Sequence, residues 1–355
     1  MASLDDFSTL TPERFDTAPV LKKLASASRC LAELKGVAAS IPHQGILINT
    51  IGLQEAKDSS AIENIVTTHD DLFRDDTYPE LAVNPAAKEV LRYRQALRVG
   101  FESVQETGLL TLNHVQEIQA QLERNNAGFR RVPGTTLKDG AGQVVYAPPQ
   151  DPSEIVRLMG ELERFLNEPE RFQADPLVKM ALAHHQFESI HPFYDGNGRT
   201  GRILNVLYLV KEGLLDIPVL YLSRAIVRTK SDYYRLLQDV RERDAWEEWV
   251  VYMLDAVEQS AQHGVTMVRA IRDVLLDVKH RIRKDHKFYS QDLINTLFSH
   301  PYTKIQFLER DLRVSRLTAT KYLDALASDG LLTKQKIGRS NYYINSALTA
   351  ILTRN

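Results

Sequence analysis

Only one cysteine, Cys30, occurs in 355 residues, so no internal disulfide can form. Its apolar helical setting points to a buried, inert thiol, and cysteine scarcity suits a reducing compartment. Long apolar runs are also missing. No stretch approaches the roughly 20 residues that cross a bilayer, and Met1 to Thr11 is polar, without the apolar core of a signal peptide. A cytoplasmic protein with no membrane partner is expected. Excess charge of one sign is absent overall, the net being −2. The balance is uneven along the chain, however. Arg281 to Asn355 holds 13 Lys and Arg against 6 Asp and Glu, a net of +7, which leaves −9 for the remainder. A basic end on an acidic body hints at nucleic acid for the smaller part. No internal repeat or low-complexity tract is present. Ordinary content of 43% hydrophobic and 25% charged residues predicts a folded chain of two or three domains.

Apolar residues recur mostly at three and four, which predicts a mainly α-helical fold. A first helix spans Pro19 to Lys35, with Val20, Leu21, Leu24, Ala27, Leu31 and Leu34 on one face. Pro42 and Gly45 interrupt before a second, which carries Ile51 and runs through Ser59 to Ile65. Others are expected at Asn84 to Glu106, Thr111 to Arg124, Ser153 to Asn167 and Leu177 to Ile190, and Trp246 and Trp249 open a last long one. Between these helices, Val132 to Tyr146 has two short β-prone runs around Asp139-Gly140 and Gly142, the pattern of a hairpin.

The richest segment is His191-Pro-Phe-Tyr-Asp-Gly-Asn-Gly-Arg-Thr-Gly-Arg202. Gly196, Asn197 and Gly198 can turn successive backbone N–H groups into a concave nest. Ile203, Val206, Leu207 and Val210 then follow at helical spacing, so the nest opens a helix, whose N-terminus attracts anions. Arg199 and Arg202, with Thr200 and Gly201 between them, share the first turns and can grip phosphate oxygens. Asp195 is a hard oxygen ligand for magnesium, and His191 can take a proton near neutral pH. His184 and His185 lack metal-ligand spacing and are expected to be structural.

The run resembles the signature of the Fic family, His-x-Phe-x-[Asp/Glu]-Gly-Asn-Gly-Arg-x-x-Arg, and fills every fixed position of it. At the level of organisation the resemblance covers about Leu10 to Ser260. It implies a Fic helical core whose β-hairpin, a flap at about 132–147, clamps an extended segment of a target protein by main-chain pairing. It also implies a protein adenylyltransferase, moving AMP from ATP to a Ser, Thr or Tyr hydroxyl of a target or of the chain itself. His191 would be the catalytic base, and Asp195 would hold Mg²⁺. Gly196 to Arg202 would bind ATP, with Arg202 on the γ-phosphate and Phe193 anchoring the loop. Tyr233, in Ser231-Asp-Tyr-Tyr234, matches a place where relatives line the adenine site. Ser59-Ser-Ala-Ile-Glu63-Asn64 matches the family's inhibitory pattern, [Ser/Thr]-x-x-x-Glu-[Gly/Asn]. The resemblance implies that Glu63 enters the nucleotide pocket and pairs with Arg202. A homodimer is a family-level expectation.

From Tyr289 the pattern changes. Gln291 to Ser299, Ile305 to Leu312 and Arg316 to Asp329 read as helices, Gly330 as a stop, and Leu331 to Ile337 with Asn341 to Ile344 as strands. This resembles a winged helix-turn-helix. Arg316, Thr318, Thr320 and Lys321 would face a DNA groove, with Lys334, Lys336 and Arg339 on the wing. Three regions are therefore expected: 1–105 with the inhibitory helix, 106–280 with the core, and 281–355. Two other readings are a Fic enzyme that moves or removes another phosphate-containing group, and a DNA-binding regulator or toxin–antitoxin component.

Overall fold

Several helices begin where a short polar residue precedes proline, whose missing N–H costs nothing at a helix start. Asn84, Asp151 and Asp175 each accept from backbone amides of the turn that follows. The computed structural model describes residues 7–78, 84–337 and 340–354. In chain order the elements are α1 (Ala18–Ala38), α2 (Gly45–Ile62), α3 (His69–Thr77), α4 (Pro85–Thr107), α5 (Leu112–Glu123), β1 (Leu137–Lys138) and β2 (Val144–Tyr146). Next come α6 (Pro152–Asn167), α7 (Pro176–Ile190), α8 (Asn197–Lys211), α9 (Leu222–Arg228), α10 (Lys230–Arg243) and α11 (Trp246–Asp285). The C-terminal part holds α12 (Gln291–Ser299), β3 (Tyr302–Lys304), α13 (Ile305–Leu312), α14 (Arg316–Ser328), β4 (Thr333–Ile337), β5 (Ser340–Ile344) and α15 (Ser346–Leu352). The fold is mainly α, as the apolar spacing predicts.

The core is organised around α7. Every residue from Leu177 to Ile190 is buried, so the helix lies inside the bundle and not on its surface. It runs into the 191–196 loop and returns as α8, which is buried on nearly all sides as well. α1 packs along α11, while α4 and α2 close the opposite side against α8 and α9. The expected hairpin is present but short. β1 and β2 pair antiparallel with Leu137 opposite Tyr146, and Asp139 closes the turn by accepting from the amides of Ala141 and Gln143.

Three expectations need correction. The second helix does not extend to Ile65: it stops at Ile62, with Glu63 as its cap and Asn64 left-handed at φ 64°. Asn64 N–H donates to Ala61 O (3.1 Å) and Ile65 N–H to Ser60 O (3.0 Å), the two bonds of a Schellman ending. Asparagine is among the few residues that accept a left-handed conformation at little cost, so it ends the helix and fixes Glu63 at its tip. The boundary expected at 280 falls inside α11, which continues unbroken to Asp285. The helices α3, α9, α10 and α15 and the strand β3 were not anticipated.

The C-terminal elements form a small unit of helices on a three-stranded antiparallel sheet of order β3-β5-β4. It docks on the main body through α3. Thr77 Oγ1 donates to Tyr302 O (2.9 Å), Tyr302 OH to Asp70 Oδ1 (2.5 Å) and Tyr78 OH to Asn341 O (2.8 Å). Phe73 and Tyr342 both pack on the Tyr302 ring. α12 and α15 also rest on α2. Among the described residues, no helix is long and apolar enough to cross a membrane.

Candidate active site

The 191–202 run folds as a loop stapled at both ends. His191 caps α7 in a left-handed conformation (φ 49°) and its amide donates to Phe187 O (2.9 Å). The Asn197 side chain closes the loop by accepting from Phe193 N (2.8 Å) and donating to Phe193 O (2.9 Å). Phe193 itself is fully buried against Phe129 and Phe187. The Asn197 side chain is therefore committed to the loop, and only its backbone can meet a ligand. Gly196, at φ 78°, turns the chain into α8. The first amides of α8 have no carbonyl one turn behind to accept them, so they form an open donor site.

An anion from the same chain already occupies that site. Glu63 lies so near Gly198 that a Cβ there would stand 2.3 Å from Glu63 Oε1. The same oxygen accepts from Arg202 Nη2 at 2.8 Å. Ser59, one helical turn earlier, takes the rest of the guanidinium: its Oγ accepts from Nε (2.8 Å) and its carbonyl from Nη2 (3.0 Å). Arg202 is 1% exposed; burial opposes its charge, but Glu63 together with Tyr233, Tyr93 and Glu188 outweighs that penalty and holds the guanidinium charged. Burial pushes the Glu63 carboxyl up, but Arg202 wins and holds it below the ordinary value. Lys230 Nζ steadies the tip by donating to Asn64 Oδ1 (3.0 Å). Ser59 and Glu63 thus converge on Arg202, while Asn64 bonds to Lys230.

The other arginine of the run is tied elsewhere. Arg199, 4% exposed, pairs with Glu123 (2.7 Å) and Glu89 (3.2 Å). Asp195 is exposed; its Oδ1 accepts from Gly196 N (2.7 Å). Among the described residues no group of three or more His, Cys, Asp or Glu side chains converges. A metal at Asp195 would therefore take its remaining ligands from phosphates and water. That donor set suits Mg²⁺, which usually binds through one or two carboxylates and keeps its waters.

His191 is held by groups the sequence did not advertise. Arg130 is 1% exposed and donates from Nε to His191 O (2.7 Å), and from Nη2 to Ile190 O (3.2 Å) and to Pro149 O. Its amide donates to Pro192 O (2.8 Å), so one residue fastens the loop to the hairpin base. Arg241 Nε reaches Ser189 Oγ (3.0 Å), with its guanidinium 4.0 Å above the Tyr146 ring. Burial, then the charges of Arg130 and Arg241, lower the His191 pKa to about 4. The imidazole is therefore neutral at physiological pH, the form a base requires. Arg130 stands beside Arg131 outside any motif, so nothing in the sequence marks it for the interior.

Tyr233 is placed differently from the expectation. It is 1% exposed, its hydroxyl is 2.8 Å from His184 Nε2, and its ring packs on Trp249, behind the site. Tyr234, 45% exposed, is the neighbour that faces outward. On a helix, adjacent residues point about 100° apart, and the core took the first of the pair. His184 and His185 are buried, with Nε2 of His185 near Leu237 O (3.2 Å) and its ring between Trp246 and Trp249.

Known proteins resemble this chain in sequence and in fold. Residues 21–102 match the Fic/DOC family N-terminal model, 109–209 the Fic/DOC family model, and 275–348 the model described as protein adenylyltransferase SoFic-like, C-terminal domain. Protein adenylyltransferase fic-1 of Caenorhabditis elegans is 29% identical over 155 residues, 42% of this chain and 29% of that protein. Protein adenylyltransferase Fic of Drosophila grimshawi is 30% identical over 166 residues, 47% of this chain and 30% of the relative. The chain thus spans about 30% of the length of these curated relatives. A Fic family protein from Desulfovibrio desulfuricans G20 shares the fold at a TM-score of 0.58 and 21% identity, over 94% of this chain and 98% of that one. The structure of Fic-1 from C. elegans gives 0.55 and 21%, over 70% and 74%. With the two Fic/DOC models matched in order over 21–102 and 109–209, together about half of the chain, and the signature loop set at the start of α8, the chain belongs to the Fic/DOC family.

Proposed function

We propose that this chain is a protein adenylyltransferase that transfers AMP from ATP to a Ser, Thr or Tyr hydroxyl of a protein, itself included. Glu63 keeps it inactive. The observation that carries the reading is a carboxylate at the N-terminus of α8, paired with Arg202, where a phosphate would otherwise sit. Two of the relatives above bear the adenylyltransferase name.

In this reading the amides of Asn197 and Gly198 and the Arg202 guanidinium receive the phosphates once Glu63 withdraws. Arg199, fixed by Glu123 and Glu89, keeps the first turn of α8 in place. Neutral His191 accepts the hydroxyl proton as the oxygen bonds to the α-phosphorus. The bond from that phosphorus to its bridging oxygen breaks, and pyrophosphate departs. Asp195 would hold Mg²⁺, which supplies charge neutralisation along the phosphates. The β1–β2 hairpin, with Val144 and Val145 exposed, is the flap that pairs with the target backbone. Phe193 anchors the loop, and Tyr234 takes the place proposed for Tyr233 beside the base.

Incubation of a Glu63→Gly protein with ATP labelled on either phosphate tests the chemistry. Label from the α-position is expected to stay on protein and label from the γ-position to leave. The reverse result would establish phosphoryl transfer and defeat the reading.

The C-terminal unit is read as a winged helix. α14 exposes Arg316 and Lys321 beside Leu317, 82% exposed, and Lys336 is exposed on β4. Lys334 is less available, being paired with Asp324 (2.7 Å), and Arg339 lies outside the described residues. We propose duplex DNA as the partner of this face. Its affinity is expected to fall steeply as salt rises; fluorescence anisotropy that shows no binding at low salt would dismiss it.

A further inference from the structure

A second carboxylate stands beside Arg202 and has no partner. Glu188 lies on the last turn of α7, three residues before His191, and is 8% exposed. Its Oε1 is buried and receives no hydrogen bond. That atom presses against the start of α8: a Cβ on Gly201 would lie 2.8 Å from it. The charged and titratable groups around it come from three other elements. Arg202 is on α8, Glu63 at the tip of α2, and Arg241, Tyr233 and Tyr234 on α10. His184 and His191 lie before and after it on its own segment. Arg202 therefore has one carboxylate on its α2 side, with which it pairs, and another on its α7 side, with which it does not.

A buried carboxylate with an orphaned oxygen is a cost that a packed core avoids. We propose that Glu188 is a positioning residue for the nucleotide: ionised, it holds the freed Arg202 and repels the terminal phosphate, and neutral, it yields Arg202 to the triphosphate. The inference rests on the reading of the pocket as an ATP site. Burial raises the Glu188 pKa to about 7, with Arg202 acting downward and Glu63 upward. When Glu63 withdraws, one repelling charge disappears and Arg202 loses its acid. Glu188 then ionises more readily and takes over the guanidinium. The sign follows: a carboxyl that must be neutral for tight binding makes ATP affinity fall as pH rises through its pKa.

The test is calorimetric binding of Mg²⁺–ATP to the full chain carrying Glu63→Gly and His191→Ala, which removes the proposed brake and base, at pH 6 and pH 8. Affinity is expected to weaken roughly tenfold over that interval, as one coupled proton requires. Adding Glu188→Gln, of the same shape and without charge, should flatten the profile and leave the pH 8 affinity near the pH 6 value. The triphosphate's own last ionisation favours binding at high pH, the opposite sense. An affinity that is flat or rises with pH in the parent overturns the proposal, and this holds even if the Gln variant misfolds. An unchanged slope in a folded Gln variant overturns it too. Absence of AMP transfer by Glu63→Gly would instead strike the proposed activity, since the binding measurement does not depend on turnover.

Discussion

Replacing Glu63 with glycine is expected to increase self-modification and to tighten ATP binding on the order of tenfold to a hundredfold, about 1.4 to 2.8 kcal/mol. Two effects act in the same direction. The substitution frees Arg202 from its 2.8 Å ion pair, and it clears a like charge from the amides at Gly198. Glycine also suits the chain, because the residue after it is already left-handed and the helix ends there in any case. Residual grip by Ser59, through both Oγ and its carbonyl, keeps the gain below full release. Intact-protein mass spectrometry after incubation with ATP and Mg²⁺ reads the modification as added AMP mass. A variant no more active than the parent would remove the brake assignment, since no other described carboxylate pairs with Arg202.

His191→Ala in that derepressed background should abolish transfer while ATP still binds. The loss expected from a missing general base is about 10²- to 10⁴-fold. Binding survives because Arg202 and the α8 amides are untouched, and because Arg130 holds the loop through the carbonyl of residue 191, which alanine retains. The pH dependence carries a sign. Burial and two arginines depress the imidazole pKa to about 4, so the acid limb of kcat/KM in the active form should lie far below the ordinary 6.5. Removing Glu63 lowers it further, because that carboxylate was among the groups favouring the cation. An acid limb near 6.5 would mean that His191 is solvated or is not the base.

Legibility in the sequence followed burial and chemistry. Helices with one apolar face, such as α6, were placed almost to the residue, because a stripe at three and four leaves few alternatives. α7 was bounded as closely, but its complete burial was not legible: Lys179, His184, His185, Gln186, Glu188 and Ser189 are all buried, so polar letters did not mark a solvent side. The 191–202 loop was readable because glycines, an aspartate, a histidine and two arginines sit within twelve consecutive positions. Glu63 was readable only through the family pattern, and the structure supplies the reason for that pattern's last letter, since Asn64 must be left-handed. Arg130 and Arg241 reach the site from distant segments, and Glu188, although three residues before His191, carried no signal of its burial. The burial of Tyr233 was not legible, because adjacent tyrosines cannot be ranked for burial without the tertiary contacts of Trp249.

Glu63 to Thr68 is a short bridge between α2 and α3, and both abutments are fastened to the C-terminal unit, α2 by α12 and α15, α3 by Tyr302 and Asn341. A minimal fragment ending at Asp285, where the long helix stops, would keep every letter of the signature yet cast off both moorings. Turnover recorded on such a piece would describe an untethered latch, so rates intended for the whole molecule have to be taken on the whole molecule.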